Sequence, residues 1–204
     1  MRSRLAVLAV LAALAAVLAG CGGSTSGTGA AELRGTELDP PTASPEFTLT
    51  DQDGRRVSLS DERGHWVVVN FLYVSCPDVC PAIAGHFNNA LRTREGEAAG
   101  LRVLTISVDP ERDTPRAVRE YVHQRRLVPG YRYLIGTRAE LEPVWHDYHI
   151  AVLPGPKGSI THTTTSLLID PQGRGRLLWS TDVQTADVVH DLALLLNREK
   201  EETE

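Results

Sequence analysis

One stretch constrains this chain more than any other. Trp66 to Val74 reads WVVVNFLYV, an almost unbroken apolar run rich in β-branched and aromatic residues. Such a run fits a strand covered on both faces, which is the environment of a central strand in a parallel sheet. A second run, Leu101 to Val108 (LRVLTISV), has the same character, and a helix between them is expected to end near Arg94. Two buried strands joined by a helix make a βαβ unit and place the chain in the α/β class. Thr114 before Pro115 marks another helix start, expected to run to about Arg126. Tyr131 to Ile135 reads as a short strand, and Thr137 with Glu140 forms a capping box for the next helix. His162 to Ile169 leads into a strand that turns at Asp170-Pro171-Gln172-Gly173 into Arg176 to Ser180. A last helix is expected over Asp182 to Asn197. Its Val188, Val189, Leu192, Leu195 and Leu196 recur at helical spacing and are core positions. Before the central strand, Glu46 to Thr50 and Arg55 to Ser60 flank Asp51-Gln52-Asp53-Gly54 and predict an N-terminal β-hairpin.

The ends of the chain read differently. Residues 1–20 begin with Arg2 and Arg4, and every residue from Leu5 to Ala19 is Leu, Ala or Val. Fifteen apolar residues fall short of the ~20 that a spanning helix needs, but they suit a secretory signal. Leu18-Ala19-Gly20-Cys21 resembles a bacterial lipobox, in which the Cys21 thiol is acylated and becomes the new N-terminus. The plainer alternative is an ordinary signal peptide with Cys21 as a bystander. Residues 1–20 are therefore expected to be a lipoprotein signal peptide and residues 21–44 a flexible tether rich in Gly, Ser and Thr. The folded domain is expected over 45–197, with 198–204 a disordered charged tail. This arrangement predicts a protein held by lipid at the extracytoplasmic face of the cell membrane.

Charge excludes one class of partner. Lys plus Arg number 21 and Asp plus Glu 26, a net charge of −5, so no broad cationic surface exists for nucleic acid. Three cysteines are too few for a disulfide-stapled mini-protein. Setting Cys21 aside leaves Cys76 and Cys80, a close pair in an oxidising place. Such a pair can form a disulfide, bind a metal or cycle between the two states.

That pair sits in Ser75-Cys76-Pro77-Asp78-Val79-Cys80-Pro81, directly after the central strand, where open α/β sheets carry their sites. If the loop is helical, Cys76 and Cys80 share a face about 6 Å apart. A helix N-terminus there favours the thiolate that ligation and redox chemistry both need. Asp78 opposes thiolate formation but offsets a bound cation. A structural disulfide is the plain alternative, although so short a loop removes little chain entropy. Two sulfurs need a further ligand, and there are seven histidines. His65 fits a strand cap. His86, His123 and His190 lie on expected helices. His146 and His149 make a weak pair at a helix end. His162 follows the loop Pro154-Gly155-Pro156-Lys157-Gly158 and opens a strand, so the topology returns it to the same sheet end. Cys76, Cys80 and His162 are the expected ligands. Two soft thiolates with one imidazole favour Cu(I) and accept Cu(II).

The run Phe71-Leu72-Tyr73-Val74-Ser75-Cys76-Pro77-Asp78-Val79-Cys80-Pro81 strongly resembles the Sco/SenC family of copper-binding assembly factors. So do Val108-Asp109-Pro110-Glu111-Arg112-Asp113-Thr114-Pro115 and Ile160-Thr161-His162 leading into Leu168-Ile169-Asp170-Pro171-Gln172-Gly173. The resemblance covers about Pro45 to Asn197 and implies a thioredoxin-like fold in which the two cysteines and the late histidine bind copper. It also implies delivery of that copper to the copper A centre of cytochrome c oxidase subunit II, or maintenance of that centre's cysteines in reduced form. A copper donor protein and a thioredoxin-like reductant follow as further partners. Asp109 and Asp113 match the family's acidic motif, and for Asp113 a charge at a helix N-terminus suffices as a reading. Two features count against a general thiol-disulfide oxidoreductase. The cysteines are three residues apart where thioredoxins have two, and Ile160-Thr161-His162-Thr163 contains no proline facing them. A copper or redox sensor is a third reading.

Overall fold

A computed structural model describes residues 32–156 and 159–203. The expected signal peptide over 1–20, Cys21 and the first part of the expected tether, through residue 31, lie outside the described residues. Leu33–Glu204 forms one unit. Its strands are β1 (Thr36–Ala43), β2 (Thr48–Asp51), β3 (Arg56–Ser58), β4 (Val67–Leu72), β5 (Arg102–Ser107), β6 (Tyr131–Ile135), β7 (Val152–Pro154), β8 (Ile160–His162), β9 (Ser166–Ile169) and β10 (Arg174–Trp179). Its helices are α1 (Cys80–Ala90), α2 (Arg94–Ala98), α3 (Pro115–Gln124), α4 (Arg138–Asp147) and α5 (Thr185–Thr203). Among the described residues, no helix is long and apolar enough to cross a membrane.

Eight strands form one sheet in the order β1-β10-β9-β4-β5-β6-β2-β3, and β7 and β8 form a separate pair. The apolar run does what its composition requires: all six residues of β4 are buried. β4 lies parallel to β5, with Val69 opposite Leu104 and Leu72 opposite Ser107, and antiparallel to β9. β5 lies parallel to β6. Val68, Leu104, Phe87 and Leu192 are completely shielded from solvent, so the core joins the sheet to α1 and α5. The β2–β3 hairpin forms as predicted, with Gly54 at φ 83° in its turn. Thr114 caps α3 by accepting from the Ala117 amide at 3.3 Å, and the Thr137–Glu140 box caps α4. The architecture is the α/β, thioredoxin-like one expected, with the parallel strands β4, β5 and β6 at its centre and the antiparallel β9 and β10 beyond β4.

Four expectations change. The folded part begins before residue 45, because Thr36–Ala43 pairs with β10 instead of belonging to a tether. Its sequence, TELDPPTA, reads as linker because it is polar and proline-rich. An exposed edge strand tolerates such residues, and Pro40 and Pro41 fall between Glu37 and Thr42, where the ladder is interrupted. The entry to β1 is fixed by a buried carboxylate: Asp191 of α5 accepts from the amides of Arg34 at 2.8 Å and Gly35 at 3.0 Å, and from Trp179 Nε1 at 2.8 Å. The expected tail is helix through Thr203, and Arg198 pairs with Glu37 of β1 at 2.8 Å. The strand expected from His162 is two strands, β8 and β9, interrupted at Thr163–Thr165. The expected first helix ends at Ala90, with the short α2 after it.

Candidate metal site

The chain leaves β4 at Leu72, turns over Tyr73–Val79 and enters α1 at Cys80. Cys76 therefore precedes the helix, and the two cysteines do not share a helical face as the spacing alone predicts. A turn unites them instead. The Cys76 amide donates to the Tyr73 carbonyl at 3.3 Å, and the Cys76 and Cys80 side chains lie close enough for each to feel the other's charge. Both are free thiols; Cys76 is partly exposed and Cys80 is buried. Burial holds the Cys80 thiol far above its ordinary pKa. Its neighbour Cys76 adds to this, and the backbone amides of Tyr73 and Cys80 work against it. The pair is thus an accessible sulfur backed by a buried one. Asp78 is exposed on the same loop.

A second segment braces this loop. Ser107 ends β5 opposite Leu72, and the chain then runs through Asp109 to Asp113. Asp113 is only 3% exposed. Its carboxylate accepts from the Val74 amide at 3.1 Å, from the Ser107 hydroxyl at 2.7 Å and from the Tyr133 hydroxyl at 3.3 Å. Burial raises its pKa to about 6. The bonds from Ser107, Val74 and Tyr133 oppose that rise, and nearby Asp109 adds to it. Asp113 is therefore more than the helix-end charge read from the sequence: it anchors the amide two residues before Cys76. The parallel β4–β5 register was the signal, since it sets the exits of the two strands side by side. Asp109 pairs with Arg112, and its backbone amide donates to the Ser107 hydroxyl oxygen at 3.0 Å.

His162 ends β8, which pairs with β7 through Val152↔His162. Its imidazole meets the Tyr73 ring edge to face, with centroids 5.8 Å apart at 79°. Its Nδ1 lies 2.9 Å from the Thr163 carbonyl oxygen. A carbonyl only accepts, so Nδ1 carries the proton and Nε2 keeps its lone pair, the tautomer a metal ligand needs. Burial lowers the pKa of His162, and the Thr163 carbonyl partly offsets this. The structure thus joins the two sulfurs and sets His162 one aromatic ring away. Among the described residues, no three His, Cys, Asp or Glu side chains stand together closely enough to hold an ion.

The remaining histidines have other surroundings. His86 Nδ1 accepts from the Thr185 amide at 3.3 Å and docks the start of α5 on α1. His146 is exposed beside Asp147, and His149 sits at φ 56° just past the end of α4. Tyr73 was not singled out from the sequence, where it reads as one more apolar strand residue.

This fold and loop define a thioredoxin-like domain carrying a Cys-x-x-x-Cys pair at the carboxyl end of its central strand. The family model described as SCO1/SenC matches residues 35–197, and the chain belongs to that family. The mitochondrial protein SCO1 homolog of Homo sapiens is 33% identical over 147 residues, which cover 69% of this chain and 48% of the human protein. The chain thus spans about half the length of that relative. Among solved structures, Arabidopsis thaliana ScoI with copper bound is 26% identical, covers 78% of this chain and 99% of its own, and superposes with a TM-score of 0.67. Bradyrhizobium japonicum ScoI with copper bound is 30% identical, covers 74% and 98%, and gives a TM-score of 0.64.

Proposed function

We propose that this protein is a copper chaperone, held by lipid at the extracytoplasmic face of the cell membrane, that delivers copper to the copper A centre of cytochrome c oxidase subunit II. The observation that carries the reading is a pair of neighbouring free thiols on one turn, one aromatic ring away from a histidine whose Nε2 lone pair is available. Relatives of this fold hold copper, and the Sco family is one of cytochrome c oxidase assembly proteins. Cys76, Cys80 and His162 are the ligands. Binding Cu(I) displaces the thiol protons, which offsets the high pKa that burial imposes on Cys80. The three donors leave one side of the ion open. An incoming ligand from the recipient attacks there, and copper moves by ligand exchange without breaking a substrate bond. Both thiols must be reduced before loading, so an external thioredoxin-like reductant serves the protein, and a copper donor fills it.

One observation favours a second reading. A partly exposed Cys76 backed by the buried Cys80 is the arrangement of an attacking and a resolving thiol. In that reading Cys76 attacks a disulfide of the oxidase subunit, and Cys80 then closes the internal disulfide and releases the reduced partner.

Anaerobic titration of the reduced protein with Cu(I) tests the first reading. One tight equivalent is expected, with affinity collapsing in Cys76→Ser, Cys80→Ser and His162→Ala. Normal binding in His162→Ala removes the third ligand, and normal binding in all three removes copper delivery. Rapid turnover of a disulfide substrate, indifferent to His162→Ala, establishes the oxidoreductase instead.

A further inference from the structure

Tyr73 is the first residue past β4 and is 5% exposed. Three features place it between the proposed ligands. Its carbonyl closes the turn that carries Cys76. Its hydroxyl donates to the Ile160 carbonyl at 3.3 Å, 87 residues along the chain. Its ring packs edge to face against His162.

The β7–β8 pair that bears His162 rests on the core through Val152 and Ile160 but has few polar ties to the rest of the domain. It is a two-stranded sheet outside the main one, and an isolated pair of three-residue strands is marginal in water. Its residue Leu153 is 58% exposed. The bonds between Ala151 and Thr163 join the hairpin's own two arms. Among the described residues, the hydrogen bond that ties this hairpin to the central sheet is the one from Tyr73 to Ile160.

We propose that Tyr73 is a positioning residue: its hydroxyl and ring set the His162 hairpin against the cysteine loop, so that the imidazole reaches an ion held by the two sulfurs. The inference rests on the copper reading for its ligand, and on the Tyr73–Ile160 and Tyr73–His162 contacts for its geometry. The hydroxyl fixes the hairpin backbone two residues before His162, and the ring limits the imidazole's rotation.

The test uses Tyr73→Phe, which keeps the ring and removes only the hydroxyl, in the full chain. Competition titration with Cu(I) is expected to show an affinity weakened about fivefold, the range of one net hydrogen bond. In a His162→Ala background the same substitution is expected to change affinity less than twofold, because the side chain it positions is gone. A separate readout needs no copper. Hydrogen exchange in the reduced protein is expected to speed up at the Thr163 amide about fivefold while Val69 in β4 keeps its protection. Equal weakening of copper binding in both backgrounds, or unchanged exchange at Thr163, overturns the positioning role. If the parent protein takes up no Cu(I), the copper reading fails, and the exchange measurement alone decides whether Tyr73 holds the hairpin.

Discussion

The buried carboxylate of Asp113 makes a strong prediction about pH. The ordinary value for such a group is 3.8, and burial moves it to about 6 in the folded protein. Below pH 3.8 the carboxyl is protonated in both folded and unfolded chains. Between 3.8 and 6 the unfolded chain ionises and the folded one does not, so the native state binds more protons and its stability falls as pH rises. The stabilising contribution is complete below the unfolded value and lost once pH passes the folded one. The interval is 6 − 3.8, about 2.2 units, and at 1.36 kcal/mol per unit the change is about 3 kcal/mol. Asp113→Asn cannot ionise, and its side-chain oxygen can still accept from the Val74 amide. Its stability relative to the parent is therefore expected to improve by about 3 kcal/mol between pH 3 and pH 8. Urea unfolding of the two proteins across that range reads this directly. With a slope near 2 kcal/mol per molar, the difference between midpoints moves by about 1.5 M. Taking the difference cancels the protonation of other carboxylates common to both. A difference independent of pH refutes the argument. A shift of opposite sign means that the bonds from Val74, Ser107 and Tyr133 outweigh burial.

Two further outcomes follow from the packing. Asp191→Ala leaves the Arg34 and Gly35 amides and the Trp179 indole without their acceptor, and is expected to cost about 3 kcal/mol in chemical unfolding; a loss under 1 kcal/mol means water replaces the carboxylate. A chain starting at Pro45 lacks β1 and bares the edge of β10, so it is expected to unfold at lower temperature and aggregate in light scattering against one starting at Glu32. Equal melting and equal scattering show that β1 contributes nothing to the domain.

The parts of the molecule legible in the sequence are those whose cause is local. β4 announces itself because a strand covered on both faces must be apolar throughout, and the caps at Thr114 and Thr137 act within three residues. The cysteine loop was placed correctly because it follows that strand, but its turn was not foreseen. Spacing fixes proximity along a helix, and Cys76 lies outside the helix. β1 and the β7–β8 pair were missed because short polar strands take their identity from partners far away in the chain. Asp113 and Tyr73 look ordinary in isolation. Only tertiary contacts join the first to Val74 and the second to Ile160.

The register of the sheet carries a geometric consequence. Asn70 near the exit of β4 lies opposite Ser166, Ser166 lies opposite Trp179, and Leu178 lies opposite Thr36. The chain therefore enters β1 level with the end of the sheet that bears the thiols. A change at the entry to β1 therefore acts on the rim that carries the sulfurs, whereas a change in the Asp170–Gly173 turn acts on the opposite rim, beside the start of β4.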